Sequence, residues 1–449
     1  MYFHDTIAAI ATAPGVAALS IVRVSGPDAV AIASVCFSGQ MLKEAKSHTA
    51  HIGMWANPKS TKIDKVIATV FRSPKSATGE DVVEVTCHGG DYVAGLVLES
   101  LIDQGARLAL PGEFTQRAFL AGKIDLTQAE AVAELIHSTS KQAHQVSLSA
   151  YEGHYSEELG KLRAAILELC ALAELEIDFT DEDVEFADRK QIKTLVETAL
   201  SQIQNLLKTV KLGTAVREGI RVVIAGPPNA GKSTLLNSLS GRNRAIVSST
   251  PGTTRDVLEV GCEFGGLRFQ FMDTAGLRQT ADTIEQEGVL RAKRVMEKAD
   301  IVVYMYDLLD GLTSEDAARI DAIQNHAVIV VGNKVDLLSN PVSTDGIQIC
   351  AKNGSKAVEP LIVLLLEKAK QDFGTADASK IVTNTRHQSH LKNAYQSLLR
   401  AKDALSANQP PDIFSIDLRS AARELGMITG AITNETILGE IFARFCIGK

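Results

Sequence analysis

Gly226-Pro227-Pro228-Asn229-Ala230-Gly231-Lys232-Ser233 is the stretch on which the reading of this chain turns. It satisfies G-x-x-x-x-G-K-[ST], the loop that wraps nucleotide phosphates. The β-rich run Ile220–Ala225 precedes it and the amphipathic run Thr234–Leu239 follows, so the spacing predicts strand, loop, helix. The glycines let backbone N–H groups approach phosphate oxygens, and a helix N-terminus adds a favourable dipole. Lys232 would neutralise the β- and γ-phosphates, and Ser233 would ligate Mg²⁺. Ala230 and Thr234 complete the phosphate-facing run.

Working towards the C-terminus, three further pieces fall in order. Asp273-Thr274-Ala275-Gly276 ends the strand pattern Arg268–Met272, with the Asp placed to hold Mg²⁺ through water and the Gly amide to meet the γ-phosphate. Asn333-Lys334-Val335-Asp336 ends the strand pattern Val328–Val331. A carboxylate there can accept both the N1–H and the amine of guanine, a donor pair adenine lacks. Cys350-Ala351-Lys352 ends another short strand and could close over the base. Together these predict a guanine-nucleotide hydrolase rather than an ATPase. The segment resembles the Era-like branch of the translation-factor GTPases.

One position departs from the usual arrangement. Ras and Gα orient the attacking water with a Gln just after D-x-x-G; here Leu277 stands there. Water orientation then comes from elsewhere, or hydrolysis is negligible. Asn229 could hold a monovalent cation beside the phosphates. Ser248-Ser249-Thr250-Pro251-Gly252-Thr253-Thr254-Arg255-Asp256 offers hydroxyls and carbonyls to complete its shell, and Glu285 is a candidate to polarise water. The plainer readings stay open: Asn229 as a turn residue, Glu285 on a solvated helix face.

The chain around this core has 449 residues, which suggests two to four domains. Hydrophobic residues make up 45% and charged residues 22%, as in ordinary globular proteins. A net charge of −8 excludes a dedicated nucleic-acid coat protein but allows a local basic face. Cysteines at 36, 87, 170, 262, 350 and 446 show no C-x-x-C spacing, which argues against a zinc ribbon and fits a reducing cytosol. No leader peptide or membrane span is read, so the expected location is cytoplasmic.

The pattern changes character along the chain. Residues 1–118 read as α/β, with strands at Val16–Val24, Val66–Phe71 and Val82–Cys87 and a helix at Tyr92–Gln104. In 119–215, Leu159, Leu162, Ile166, Leu169 and Ala173, and then Ile192, Leu195, Ala199, Ile203, Leu206 and Val210, recur at helical spacing. Residues 216–375 alternate strand and helix, predicting a mostly parallel sheet with helices on both faces. Helical pattern returns in 376–449 through Leu391, Tyr395, Leu398 and Leu405. The class is therefore α/β plus all-α, multidomain, with a helical bundle interrupted by a Ras-like phosphate-loop domain.

The remaining motifs carry a family resemblance. Asp5-Thr6-Ile7, Ala11-Thr12-Ala13-Pro14-Gly15 and Arg23-Val24-Ser25-Gly26 open the chain. Thr78-Gly79-Glu80-Asp81-Val82-Val83-Glu84, Cys87-His88-Gly89-Gly90 and Pro111-Gly112-Glu113-Phe114-Thr115-Gln116-Arg117-Ala118-Phe119-Leu120 follow. Gly122-Lys123-Ile124-Asp125-Leu126, Gln128-Ala129-Glu130-Ala131 and the ending Phe445-Cys446-Ile447-Gly448-Lys449 complete the set. Along essentially its whole length the chain resembles the MnmE (TrmE) family of tRNA modification GTPases.

The resemblance implies an N-terminal domain that dimerises and binds a one-carbon tetrahydrofolate (5-formyl or methylene type), with contacts at Arg23, Glu84, Lys123 and Lys449. It implies a flavoprotein partner, MnmG, that carries FAD. With it, an aminomethyl or carboxymethylaminomethyl group is added at carbon 5 of the wobble uridine of certain tRNAs. It places K⁺ at Asn229, Ser248, Thr250 and Thr253, Mg²⁺ at Ser233 and Thr254, and the catalytic carboxylate at Glu285. It also implies potassium-dependent pairing of two nucleotide domains. Cys446 resembles a prenylation box, but a terminal Lys is not a usual acceptor. The resemblance puts this thiol near the folate, where a catalytic role and a merely packed cysteine both remain open.

Other features read plainly. Asp178-Phe179-Thr180-Asp181-Glu182-Asp183 is an acidic loop, and His48/His51 and His387/His390 are surface pairs without carboxylate partners. The alternative function is an Era-like switch in ribosome assembly with no modification chemistry. It would predict an appended KH-type RNA module, which the helical flanks do not offer.

Overall fold

The computed structural model describes residues 5–39, 41–178, 189–241, 259–273, 296–323, 327–338, 346–433, 435–443 and 445–448. The chain forms two compact units, one of residues 1–133, 151–160 and 425–449, the other of 134–150 and 161–424.

In the first unit, β1 (Ile7–Ile10), β2 (Leu19–Ser25), β3 (Phe37–Ser38), β4 (Thr49–Ala56), β5 (Lys62–Phe71), β6 (Val82–His88) and β7 (Arg107–Leu108) form one mixed sheet. Its order is β3-β4-β5-β6-β2-β1-β7, antiparallel except for β1 with β7. Alternation explains the two faces. Val22, Val24, Val83, Val85 and Cys87 point into a core with Ala33, Val97 and Leu101 of helices Ala29–Cys36 and Asp91–Asp103. Buried Trp55 closes that core by donating from Nε1 to Ser100 Oγ at 2.8 Å. On the other face Ile7 and Ala9 meet Ala109 and Phe114.

β2 starts later than its sequence pattern suggests. Val16 is 99% exposed. Gly15, at φ 122, donates its amide to Asp91 Oδ1 at 2.9 Å, which holds this loop off the sheet.

The second unit holds a sheet of β8 (Ile220–Ala225), β9 (Glu259–Phe264), β10 (Leu267–Asp273), β11 (Ile301–Asp307), β12 (Ala327–Asn333) and β13 (Ile347–Gln348). Its order is β13-β12-β11-β8-β10-β9. All pairs are parallel except β9 with β10. β8 and β11 are near-continuous apolar runs because both their faces are covered. Val222, Ile224, Val303 and Met305 enter one core, and Val223, Val302 and Tyr304 enter the other.

The two ends of this α/β segment lie side by side. The Thr209 hydroxyl donates to the Lys380 carbonyl and accepts from the Val382 amide. A Cβ on Gly213 would lie 2.0 Å from the Val382 carbonyl oxygen. Beyond these ends, helices Arg189–Lys208 and Thr385–Ser406 pack together, burying Ile192, Val196, Ile203, Leu391, Leu398 and Ala401. The helical run through Val210 is in fact two helices, parted at Thr209, with Val210–Glu218 the second. Among the described residues, no helix is long and apolar enough to cross a membrane.

One histidine pair, His387/His390, needs correction. His387 is buried, and His390 Nδ1 lies 2.8 Å from Glu424 Oε2. The residues from 411 onwards fold back as helix Pro411–Thr429 and bring that carboxylate in, which spacing along one helix could not announce. Of the acidic loop, Phe179 to Asp183 lies outside the described residues.

Candidate functional site

The phosphate loop joins β8 to helix Lys232–Ser240. Its tightness comes from close backbone packing. A Cβ at Gly226, where φ is 138, would sit 1.9 Å from the Met305 carbonyl oxygen on β11. At Gly231, where φ is 97, it would sit 2.3 Å from Asn333 Nδ2. Asn229 lies at the exposed crest with φ 63. Lys232 is buried and curls over the loop, its Nζ donating to the Gly226 and Pro227 carbonyls at 3.0 and 2.7 Å. Ser233 and Thr234 are exposed on the first helical turn.

Asn333 ties the site together. Its buried Nδ2 donates to the Ala230 carbonyl at 2.8 Å, and its Oδ1 accepts the Ala351 amide at 2.9 Å. The end of β12 therefore holds the phosphate loop on one side and the 350–352 segment on the other. Ser238 Oγ donates to the Ala351 carbonyl at 2.5 Å. Lys334, at φ 67, pairs with Asp307 at the end of β11. Burial raises the Asp307 carboxyl, but the Lys334 ammonium outweighs it and leaves the group below its ordinary value. Asp336 is exposed on the turn Val335–Leu337. Cys350 is buried, which pushes its thiol up, and the nearby Asp336 carboxylate pushes it further. Lys352 is exposed beside it.

This arrangement can seat a phosphorylated guanine nucleotide. The backbone approach that the two glycines permit leaves no room for side chains in the cradle. Ser248, Ser249, Thr250, Pro251, Gly252, Thr253, Thr254, Thr274, Ala275, Gly276, Leu277 and Glu285 lie outside the described residues, and Asp273 is described only as the last backbone position of β10.

In the first unit, Arg23 and Glu84 face each other across β2 and β6. Arg23 Nε donates to Glu84 Oε1 at 2.9 Å, and the guanidinium lies 5.6 Å from the Phe114 ring centroid. Lys123 Nζ donates to the Pro74 carbonyl at 3.0 Å rather than to that pair. The C-terminal tail comes to the same face. Gly112 donates its amide to the Cys446 carbonyl at 3.3 Å, two residues before Phe114. Gly448, at φ 94, lies so close that a Cβ would be 2.3 Å from the Ile10 carbonyl oxygen. Cys446 is exposed; Lys449 lies outside the described residues.

Sequence reasoning missed a charged cluster behind this face. Arg117, with only 1% of its side chain exposed, donates to Asp5 at 2.8 Å, Glu80 at 3.1 Å and Glu113 at 3.0 Å. Arg107 adds bonds to Glu113 at 2.6 Å and Asp5 at 2.8 Å. Ser25 donates to Glu80 at 2.7 Å. Burial raises the Glu113 and Asp5 carboxyls, yet the two guanidiniums bring both below their ordinary values. Part of the signal was present, since Asp5, Ser25, Glu80, Glu113 and Arg117 fall in quoted motifs and Arg107 does not, but only the fold brings them together.

Comparison with known proteins follows these regions. The family described as GTP-binding protein TrmE N-terminus matches residues 6–123, and that described as MnmE helical domain matches residues 126–446. The tRNA modification GTPase MnmE of Salinibacter ruber is 52% identical over 457 residues, covering 99% of each chain. That of Parabacteroides distasonis is 42% identical over 464 residues, covering 99% of this chain and 100% of its own. Among solved structures, Era of Aquifex aeolicus bound to GDP·AlF4− is 26% identical over 40% of this chain and 66% of that chain, with a TM-score of 0.27. Matched from its N-terminal sheet to its C-terminal tail, the chain belongs to the MnmE family of tRNA modification GTPases.

Proposed function

We propose that this chain binds and hydrolyses GTP and, together with an MnmG-type flavoprotein carrying FAD, adds an aminomethyl or carboxymethylaminomethyl group at carbon 5 of the wobble uridine of certain tRNAs. One observation carries the nucleotide half: Asn333 bonds both Ala230 in the phosphate loop and Ala351 beside the base-reading turn. Phosphate and base recognition thus share one rigid frame.

Within that frame, Lys232 and the loop amides bind the β- and γ-phosphates, and Asp336 accepts the guanine N–H groups. Ser233 and Thr254 would hold Mg²⁺, and Asn229, Ser248, Thr250 and Thr253 would hold K⁺; these ions supply positive charge where negative charge develops on the phosphates. Exposed Ser233 on the first helical turn and Asn229 at the loop crest fit these roles. Glu285 orients water in place of the missing Gln.

In the N-terminal domain, Arg23, Lys123 and Lys449 would receive folate carboxylates and Glu84 the pterin N–H groups, the charge-assisted pairing such a ligand needs. The Arg23–Glu84 pair supports this reading, because both charges stand on one sheet face beside Phe114. The chain works as a cytoplasmic homodimer joined through this domain, and hydrolysis drives pairing and release of the nucleotide domains.

Mass spectrometry of nucleosides from total tRNA tests the reading. Loss of the carbon-5 modified uridines without this protein, restored by the intact gene but not by Lys232→Ala, is expected. An unchanged profile in a cell with no redundant enzyme would overturn it. Exchanging K⁺ for Na⁺ should depress GTP turnover sharply, and equal rates would remove the cation site.

A further inference from the structure

The hairpin of β4 and β5 carries Lys59, Lys62 and Lys65, all exposed and without an ion pair among the described residues. The turn holds Lys59 at the tip, while Lys62 and Lys65 stand three apart on β5. Thr61 donates its amide to Asn57 Oδ1 at 2.9 Å, Ser60 donates to the Asn57 carbonyl at 2.9 Å, and Ser60 takes φ 63.

The hairpin and its two strands, residues 49–71, contain one acid, Asp64. Its carboxylate is committed elsewhere. It accepts the Lys65 amide at 2.7 Å, the His88 amide at 2.7 Å and His88 Nδ1 at 2.8 Å. Burial raises Asp64, but these bonds outweigh it and hold it ionised. It thereby fixes the imidazole of His88, whose side chain is 72% exposed at the end of β6. This histidine belongs to the Cys87-His88-Gly89-Gly90 motif, which the nucleotide and folate readings leave unused. Gly89 is forced, since a Cβ there would lie 2.1 Å from the Ala17 carbonyl oxygen. Four residues after His88 stands Tyr92, 79% exposed. The acid beside it, Asp91, accepts the Gly15 amide.

We propose that Lys59, Lys62, Lys65 and the Asp64-held His88 form a contact surface for the phosphate backbone of RNA. The inference deepens the tRNA reading above and rests on it. A chain of net charge −8 repels a polyanion on average, so RNA approaches where charge is locally reversed. Lysine is depleted at the centres of protein–protein interfaces and is a principal phosphate contact on nucleic acid. An exposed tyrosine nearby suits stacking on an unpaired base.

The test is equilibrium binding of the full-length chain to a tRNA with an unmodified wobble uridine, followed against NaCl concentration. Replacing Lys59, Lys62 and Lys65 together by Ala should reduce the slope of log affinity against log salt by about 2–3 and weaken low-salt binding roughly tenfold or more. The triple Arg variant should restore both, and His88→Gln should cost about threefold. GTP turnover and thermal melting should stay at wild-type values in all of them. An unchanged slope in the triple Ala variant, or no salt-dependent tRNA binding by the wild-type chain, overturns the proposal. If the slope is unchanged and capture of the flavoprotein partner is lost instead, the face belongs to that protein and the RNA assignment fails. The Lys232→Ala nucleoside profile judges the tRNA reading separately, so the two failures are distinguishable.

Discussion

The phosphate loop and the N-terminal face hold charge in place by opposite means. The loop uses backbone. At positive φ Gly226 lets main chain approach the Met305 carbonyl and Gly231 makes room for the Asn333 amide, and Lys232 and Asn333 are held by carbonyls and amides. The N-terminal face uses side-chain charge. Arg23 is paired with Glu84, and behind them Arg107 and Arg117 are locked among Asp5, Glu80 and Glu113. A backbone cradle is local and changes little with pH. A buried ion cluster depends on distant segments and on every carboxylate staying ionised.

The largest expected effect tests that dependence. Arg117→Met would leave Glu113 and Glu80 without their buried partner, and breaking a buried pair this way costs about 3–5 kcal/mol. Denaturant melts followed by near-ultraviolet signal from Trp55, which lies in this unit, should show the loss, while GTP affinity stays within twofold or so. Equal destabilisation of both activities would erase the contrast between the two regions. The pH dependence has a definite sign. The Asp5 and Glu113 carboxyls lie below ordinary values of 3.8 and 4.5. Their contribution is therefore complete at neutral pH and is lost as pH falls below about 4. Acid melts should show this loss in the wild type and much less of it in Arg117→Met.

On the loop side, Lys232→Ala should weaken GTP binding about a hundredfold, since it removes charge-assisted bonds to phosphate worth about 1.5–3 kcal/mol each. Melting of the N-terminal unit should not move. Asp336→Asn should cost roughly thirtyfold for GTP and shift preference to xanthosine nucleotides, because the carboxylate's bidentate acceptance of guanine is lost. Unchanged GTP affinity would remove Asp336 from base recognition. The smallest effect is at Cys350, whose thiol lies beside the Asp336 carboxylate that raises it. Cys350→Ser keeps a donor and should hold GTP affinity within about twofold; Cys350→Ala should lose about threefold. Fluorescent-nucleotide titration resolves both, and equal affinities would make the thiol a packing group only.

The two regions also differ in how much of each was legible in sequence. The loop at Gly226–Ser233, the turn at Asn333–Asp336 and the segment at 350–352 could be located directly, because each is a short contiguous run at the end of a strand. The strands that carry them could be read too: β8 spans Ile220–Ala225, as its apolar run suggests. The charged cluster could not, because only Glu113 and Arg117 stand at i,i+4 on one helix, while Asp5 and Glu80 come from far away in the chain and carry no spacing rule. For the same reason His390 reads as a surface residue until the Glu424 carboxylate is brought against it.

Sequence alone determined that this chain carries a G-x-x-x-x-G-K-S loop followed by an Asn-Lys-Val-Asp turn, and that its motifs are those of the MnmE family. Those properties are encoded in contiguous residues whose φ angles and donors act locally. Tertiary structure decided which charges neutralise which. It set Arg117 among three carboxylates, turned Asp64 onto His88 so that three neighbouring lysines have no ion pair among the described residues, and hung the phosphate loop and the 350–352 segment from one asparagine. Electrostatic pairing depends on distance in space, and strand register and burial set that distance where chain order does not.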